Sequence, residues 1–217
     1  MELILLRHGV TRANLEHRYC GATDLPLDPE ALSAFRQAGL LYPDPTGFRV
    51  LTSGMRRTEE TLQAIYGEIP HEIAPAFREI DFGIFENHTY EELKDDPAYQ
   101  RWLTGDNEQN RCPGGESGAE MTKRVLAALD LPREDTLLVT HGGVIAAMMA
   151  HLFPGEGKSR YAWQPPPFHG YAVTISASGR DYRPIPGLPS TETNAPPRGW
   201  YPTIPPPRGL QTVEKPR

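Results

Sequence analysis

Cysteine is scarce in this chain, with two, at positions 20 and 112, among 217 residues. Long apolar runs are missing as well: the first ten residues hold one short run, and Arg7 ends it. That run is too short for a membrane span. It also lacks the basic n-region and small-residue cleavage site of a secretory signal. The expectation is a cytoplasmic protein with free thiols, not a disulfide-stapled secreted one. Positive charge is in short supply too. A formal net charge of -6 argues against nucleic acid or an anionic membrane as the main partner. An anionic substrate would therefore need a few cations gathered in one place. No His/Cys pair has ligand spacing on one helix, so no metal site is expected. The length suits one α/β domain with a core large enough to stand without staples, or such a domain with an appendage.

Composition shifts near residue 180. Residues 181–217 hold ten of the 23 prolines and a net charge of +2, without apolar periodicity. They read as an extended or disordered Pro-rich tail, which sets a domain of residues 1–180 apart from it. Within the domain, "ELILL" and "TLLVT" are short continuous apolar runs of the kind covered on both faces, and "RVLTS" is a weaker third. Helical patterns lie between them. Asp28-Pro29 is a cap and first-turn pair for a helix to about Leu40. Arg56 to Tyr66 reads as a helix closed by Gly67, and Ser117 with Glu120 forms a capping box. "GVIAAMMAHLF" is an apolar helix, and "YAVTISA" a further strand. Strands alternating with helices predict a three-layer α/β/α sandwich with a mostly parallel central sheet.

In such a sheet, ligands bind beyond the carboxyl ends of the strands. The first strand ends in Arg7-His8-Gly9. The second ends in Thr52-Ser53, with Arg56 and Arg57 in the next helical turn. The third ends in Thr140-His141-Gly142-Gly143. Two histidines and several arginines thus converge on one crevice. The set suits a phosphoryl group, with arginines forked onto its oxygens and helix N-termini adding N–H donors. Arg56 reads as a solvated neighbour of Arg57. His17, His71, His88, His151 and His169 carry no such signal and read as core or surface residues. Spacing alone leaves Glu79, Asp81 and Glu86 open as the carboxyl group of the site.

"LLRHGVTRAN", "SGMRRTEET", "REIDFGIFEN", "PGGES" and "VTHGGVI" occur in this order. Together they resemble the histidine phosphatase superfamily, the phosphoglycerate mutase-like branch, over roughly residues 2–176. The resemblance implies roles. His8 would be the nucleophile, transiently phosphorylated, its ring kept neutral by neighbouring arginines. Arg7, Arg57 and His141 would hold the phosphoryl oxygens, with Gly142 at a helix N-terminus and Asn14 adding hydrogen bonds. Glu79 matches the family's proton donor. "HRYCGATDLPL" resembles the family's substrate-side loop, which brings Cys20 and Gly21 near the ligand. The family works without a metal or other cofactor, the arginines supplying the charge that Mg²⁺ supplies elsewhere.

Only 61 residues separate Glu79 from His141, with few cations among them. Phosphoglycerate mutases carry a longer, more basic insertion there. The shorter segment favours a phosphomonoester hydrolase, most similar to α-ribazole phosphatase-like proteins, with the mutase as the alternative. A module that binds phosphoryl groups without chemistry, or a scaffold built on the tail, is the remaining class. The partner expected is a small phosphomonoester, not nucleic acid or a membrane. An exposed edge strand could also pair two copies into a homodimer.

Overall fold

In the computed structural model, which describes residues 1–106, 108–129 and 134–186, the central strand is β1, Glu2–Arg7. Its side chains alternate, and both faces are buried. Leu3 and Leu5 point into one core, and Ile4 and Leu6 into another. That is why "ELILL" reads as an unbroken apolar run rather than an alternation. The first core is covered by α6 (Gly118–Ala128) and α7 (Gly142–Leu152), the second by α3 (Arg56–Tyr66). The result is helices on both faces of one sheet.

The sheet has six strands in the order β3-β2-β4-β1-β5-β6. β2 is Arg49–Thr52, β3 Glu72–Ile73, β4 Thr136–Thr140, β5 Gly170–Ser176 and β6 Gly179–Ile185. The pairings of β1 with β4, β2 with β4 and β2 with β3 are parallel, while β5 and β6 run antiparallel. The strand order places the ends of β1, β2 and β4 side by side, so the three informative sequence termini share one rim.

The helix punctuation follows local chemistry. α1 (Arg12–Leu15) starts on a Thr11/Asn14 capping box. α2 (Pro29–Ala38) is capped by Asp28 and ends at a left-handed Gly39. α3 ends at Gly67, and α6 begins on the Ser117/Glu120 box. Two further short helices, α4 (Tyr90–Leu93) and α5 (Pro97–Leu103), fold over a separate aromatic cluster of Phe85, Tyr99, Tyr19 and Trp102. No helix among the described residues is long and apolar enough to cross a membrane. Cys20 and Cys112 are both free thiols.

The expected boundary at residue 180 is corrected. β6 crosses it, pairing with β5 from Gly179–Ser176 to Ile185–Gly170. Its sequence, "GRDYRPI", has no apolar alternation because it is an edge strand exposed over most of its length. Two side chains anchor it. Ile185 is buried in the second core, and Tyr182 stands edge-on to Trp163 and Phe153. Pro184 is tolerated because an edge strand has a side with no ladder to satisfy. The rest of the Pro-rich segment, 187–217, lies outside the described residues.

Candidate active site

The tip of β1 is fixed by its backbone: Arg7 N donates to His169 O and His8 N to Thr140 O, both at 2.9 Å. These bonds aim the Arg7 and His8 side chains from a rigid element. His8 is buried, and its Nδ1 lies 2.7 Å from Gly9 O. A carbonyl can only accept, so Nδ1 carries the proton and Nε2 keeps the lone pair. Burial first, then the charges of Arg57 and Arg7, push His8 well below the ordinary imidazole range. The ring is neutral, as a nucleophile must be. Gly9 follows because a Cβ there would strike the Phe168 ring, and its N–H donates to Thr61 Oγ1 at 2.8 Å.

His141 ends β4 and faces His8 with ring centroids 5.2 Å apart. Its tautomer follows from its neighbours. Thr58 Oγ1 donates to the Met55 carbonyl at 2.7 Å, so it must accept from Ser53 Oγ at 3.1 Å. Ser53 then accepts from His141 Nε2–H at 2.8 Å. That leaves His141 Nδ1 bare, and Arg57 Nε donates to it at 3.3 Å. Burial, then Arg57 and His8, hold His141 well below the usual range too.

Two guanidinium groups close the ring. Burial lowers Arg7 to about 10 and lowers Arg57 as well. Arg7 Nη1 donates to Pro165 O at 2.7 Å, while its buried Nε–H has no partner among the described residues. Arg57 donates to Thr23 O at 2.8 Å and Gly21 O at 2.7 Å. A guanidinium has five N–H donors, so each arginine keeps several unspent. Neither has a carboxylate at ion-pair distance among the described residues. Buried charges of one sign, left unpaired, make an anion site.

The carboxyl group of this crevice is Glu79. Its Oε2 accepts from Gly143 N at 3.0 Å, at the start of α7. Asp81 instead accepts from Gly83 N, and Glu86 from the loop at 21–23. The backbone of Glu79 is gripped from behind by Arg124. That side chain pairs with both oxygens of Glu116, at 3.0 and 2.8 Å, and donates to the carbonyls of Ala76 and Arg78.

The structure therefore brings Arg7, His8, Arg57, Glu79, His141 and the start of α7 at Gly142 together. A Cβ on Gly142 would press on Gln164 and the Arg7 guanidinium. Cys20 sits beside this group, its thiol raised by burial, and Gly21 reaches it through its carbonyl. Asn14 spends only its oxygen locally: Oδ1 accepts from Thr11 N at 2.9 Å and Thr11 Oγ1 at 3.0 Å in the α1 cap, and its amide NH₂ makes no hydrogen bond among the described residues. Arg56 is exposed and paired with Glu60. No group of three His, Cys, Asp or Glu side chains among the described residues could hold a metal ion.

Comparison with known proteins supplies the family. The sequence profile described as "Histidine phosphatase superfamily (branch 1)" matches residues 3–181. The chain belongs to this superfamily. It is accordingly a phosphatase-class enzyme with a phosphoglycerate mutase-like fold. A Salmonella paratyphi C protein named "Probable phosphoglycerate mutase GpmB" is 30% identical over 160 residues, 70% of this chain and 74% of that one. The alpha-ribazole phosphatase from Shigella flexneri superposes with a TM-score of 0.70 at 25% identity, covering 84% of this chain and 95% of that chain. A phosphoglycerate mutase from Thermus thermophilus gives 0.61 at 33% identity, covering 82% and 94%.

Thr58 and Arg124 carry no signal in the sequence, while Ser53 is visible there only as a strand end and Glu86 only as one of three candidate carboxyl groups. Ser53 and Thr58 act through a hydroxyl relay to His141 that local sequence does not reveal. Glu86 and Arg124 act on backbone atoms of distant segments, which leave no mark in local sequence.

Proposed function

We propose that this protein is a metal-independent phosphomonoester hydrolase working through a phosphohistidine on His8. The observation that carries the reading is the buried Arg57 and the half-buried Arg7, whose guanidinium groups have no carboxylate partner among the described residues, beside a neutral histidine whose Nε2 lone pair is free. In the first step His8 Nε2 attacks phosphorus and the bond to the leaving oxygen breaks. Glu79 protonates that oxygen. Arg7, Arg57, His141 and the Gly142 end of α7 stabilise the charge on the equatorial oxygens, with Asn14 contributing its amide N–H. In the second step water attacks the phosphohistidine, Glu79 takes its proton, and phosphate leaves His8.

The test is phosphate release by the purified protein in EDTA, with α-ribazole 5'-phosphate, sugar phosphates and p-nitrophenyl phosphate as substrates. His8→Ala is expected to lower turnover by about 10⁴-fold or more and to leave no acid-labile phosphoenzyme. Release that persists in His8→Ala would sink the mechanism. The alpha-ribazole phosphatase relative supports the nucleoside-type substrate. Relatives named as mutases support the alternative, which predicts conversion of 3-phosphoglycerate to its 2-isomer instead of free phosphate.

A further inference from the structure

Glu86 lies outside the catalytic group, yet its carboxylate is the most heavily coordinated in the vicinity. Oε1 accepts from Gly21 N at 2.9 Å, Ala22 N at 2.9 Å and Phe82 N at 3.0 Å. Oε2 accepts from Thr23 Oγ1 at 2.6 Å and Thr23 N at 3.2 Å, with Gly21 N bifurcated to it at 3.1 Å. Three successive amides curled around one anion form a nest. Here the chain fills the nest with its own side chain.

The peptide units that donate to Glu86 belong to residues that also accept from Arg57. The Gly21 and Thr23 carbonyls take its two terminal nitrogens, at 2.7 and 2.8 Å. The loop is thus a bridge with an anion on one side and a cation on the other. Its close approach needs glycine, since a Cβ on Gly21 would overlap the Ile80 carbonyl oxygen. Among the described residues Arg57 donates to no other backbone carbonyl, and its Nε reaches His141. Its orientation is set by where this loop stands.

We infer that Glu86 is a positioning residue: by filling the amide nest of residues 21–23 it holds the two carbonyls that aim the Arg57 guanidinium into the phosphoryl site. The inference rests on Arg57 being a phosphoryl-binding group. A carboxylate suits the nest because every neighbour there is a donor. Glutamine keeps the shape but turns an NH₂ toward at least two of those donors.

The test uses the full-length protein and inorganic phosphate as probe. Glu86→Gln is expected to weaken phosphate binding by about tenfold or more and to lower kcat/KM for p-nitrophenyl phosphate by a similar factor. In an Arg57→Ala background the same change should cost less than about threefold, since its effect passes through Arg57. The Arg57 Nε–H should lose its protection from hydrogen exchange in Glu86→Gln. Thr23→Val, which removes only the hydroxyl bond, should weaken phosphate binding by about threefold, and it covers the case in which Glu86→Gln does not fold. Equal losses with and without Arg57, or an Arg57 Nε–H protected as in wild type, would overturn the inference. Absence of phosphate release from the wild-type protein would instead sink the phosphatase reading, and the exchange measurement would still decide the role of Glu86.

Discussion

Thr58 has one proton on its hydroxyl, and the Met55 carbonyl takes it. Everything upstream follows, through Ser53 to the ring of His141. Ser53→Ala would leave His141 Nε2–H buried with no acceptor and favour the other tautomer. That tautomer would set a proton against Arg57 Nε–H. We expect kcat/KM to fall by about tenfold, with the His141 ¹⁵N shifts reporting the exchange of tautomers. Unchanged shifts would show that the relay does not set the ring. His8 gives a second expectation. With its basicity lowered by burial and by two arginines, its titration followed by NMR should show a midpoint well below the usual value of about 6.5. At this scale the sequence was legible where chemistry coincided with a strand end. Arg7, His8 and His141 announce themselves by sitting there next to Gly9 and Gly142, and Arg57 by opening the helix that follows such an end. The roles of Ser53 and Glu86 do not, because His141 lies 88 residues from Ser53 and most donors to Glu86 lie 63 to 65 residues away in the chain.

The elements differ in how they hold the site. α6 contributes Arg124, which reaches across to the carbonyls ahead of Glu79. Arg124→Met should release that segment and lower kcat with little change in KM, since Glu79, the proposed proton donor, moves while phosphate binding does not. A loss of about 2 kcal/mol in stability should accompany it, from the broken bidentate pair and orphaned carbonyls. A rise in KM at constant kcat would refute this division of labour. The elements with internal signals were readable: α2 has a cap and a glycine stop, α3 a glycine stop, and the apolar runs of β1 and β4 need no context. β6 was not, since its place depends on a ladder to β5 and on Tyr182 finding Trp163. Ending the chain at residue 180 would strip away Tyr182 and Ile185. Compared with a chain ending at 186, it should lose about 3–5 kcal/mol on unfolding in urea. Equal stability of the two would show that β6 contributes nothing to the sheet.

For the whole molecule, the histidines decide how acid is tolerated. Burial lowers His8, His141 and His169, while His71 is raised by its bond to the Ile69 carbonyl and by Glu59. Below about pH 6.5 the unfolded chain protonates the first three and the folded chain does not, so their contribution is present above that pH and drains away beneath it. His71 works in the opposite direction. The balance should favour unfolding as pH falls from about 7 to about 5, each unmatched proton contributing a slope of about 1.4 kcal/mol per pH unit. Urea unfolding across that range checks it, and His8→Asn should flatten the curve. A flat wild-type curve would contradict the burial argument.

The strand that leads into His8 is made before both of its partners and completed only after them. β1 spans residues 2–7, yet its partners are β4 at 136–140 and β5 at 170–176. During synthesis it must wait unpaired while more than a hundred residues follow, an apolar segment in need of shielding until its neighbours emerge. The same order gives refolding a natural clock. The arginine and histidine at the tip are held by the carbonyls of His169 and Thr140, so the candidate site cannot assemble before the middle of the sheet has closed. Recovery of activity after dilution from urea should lag behind early helix formation and keep pace with the slowest burial of Trp163.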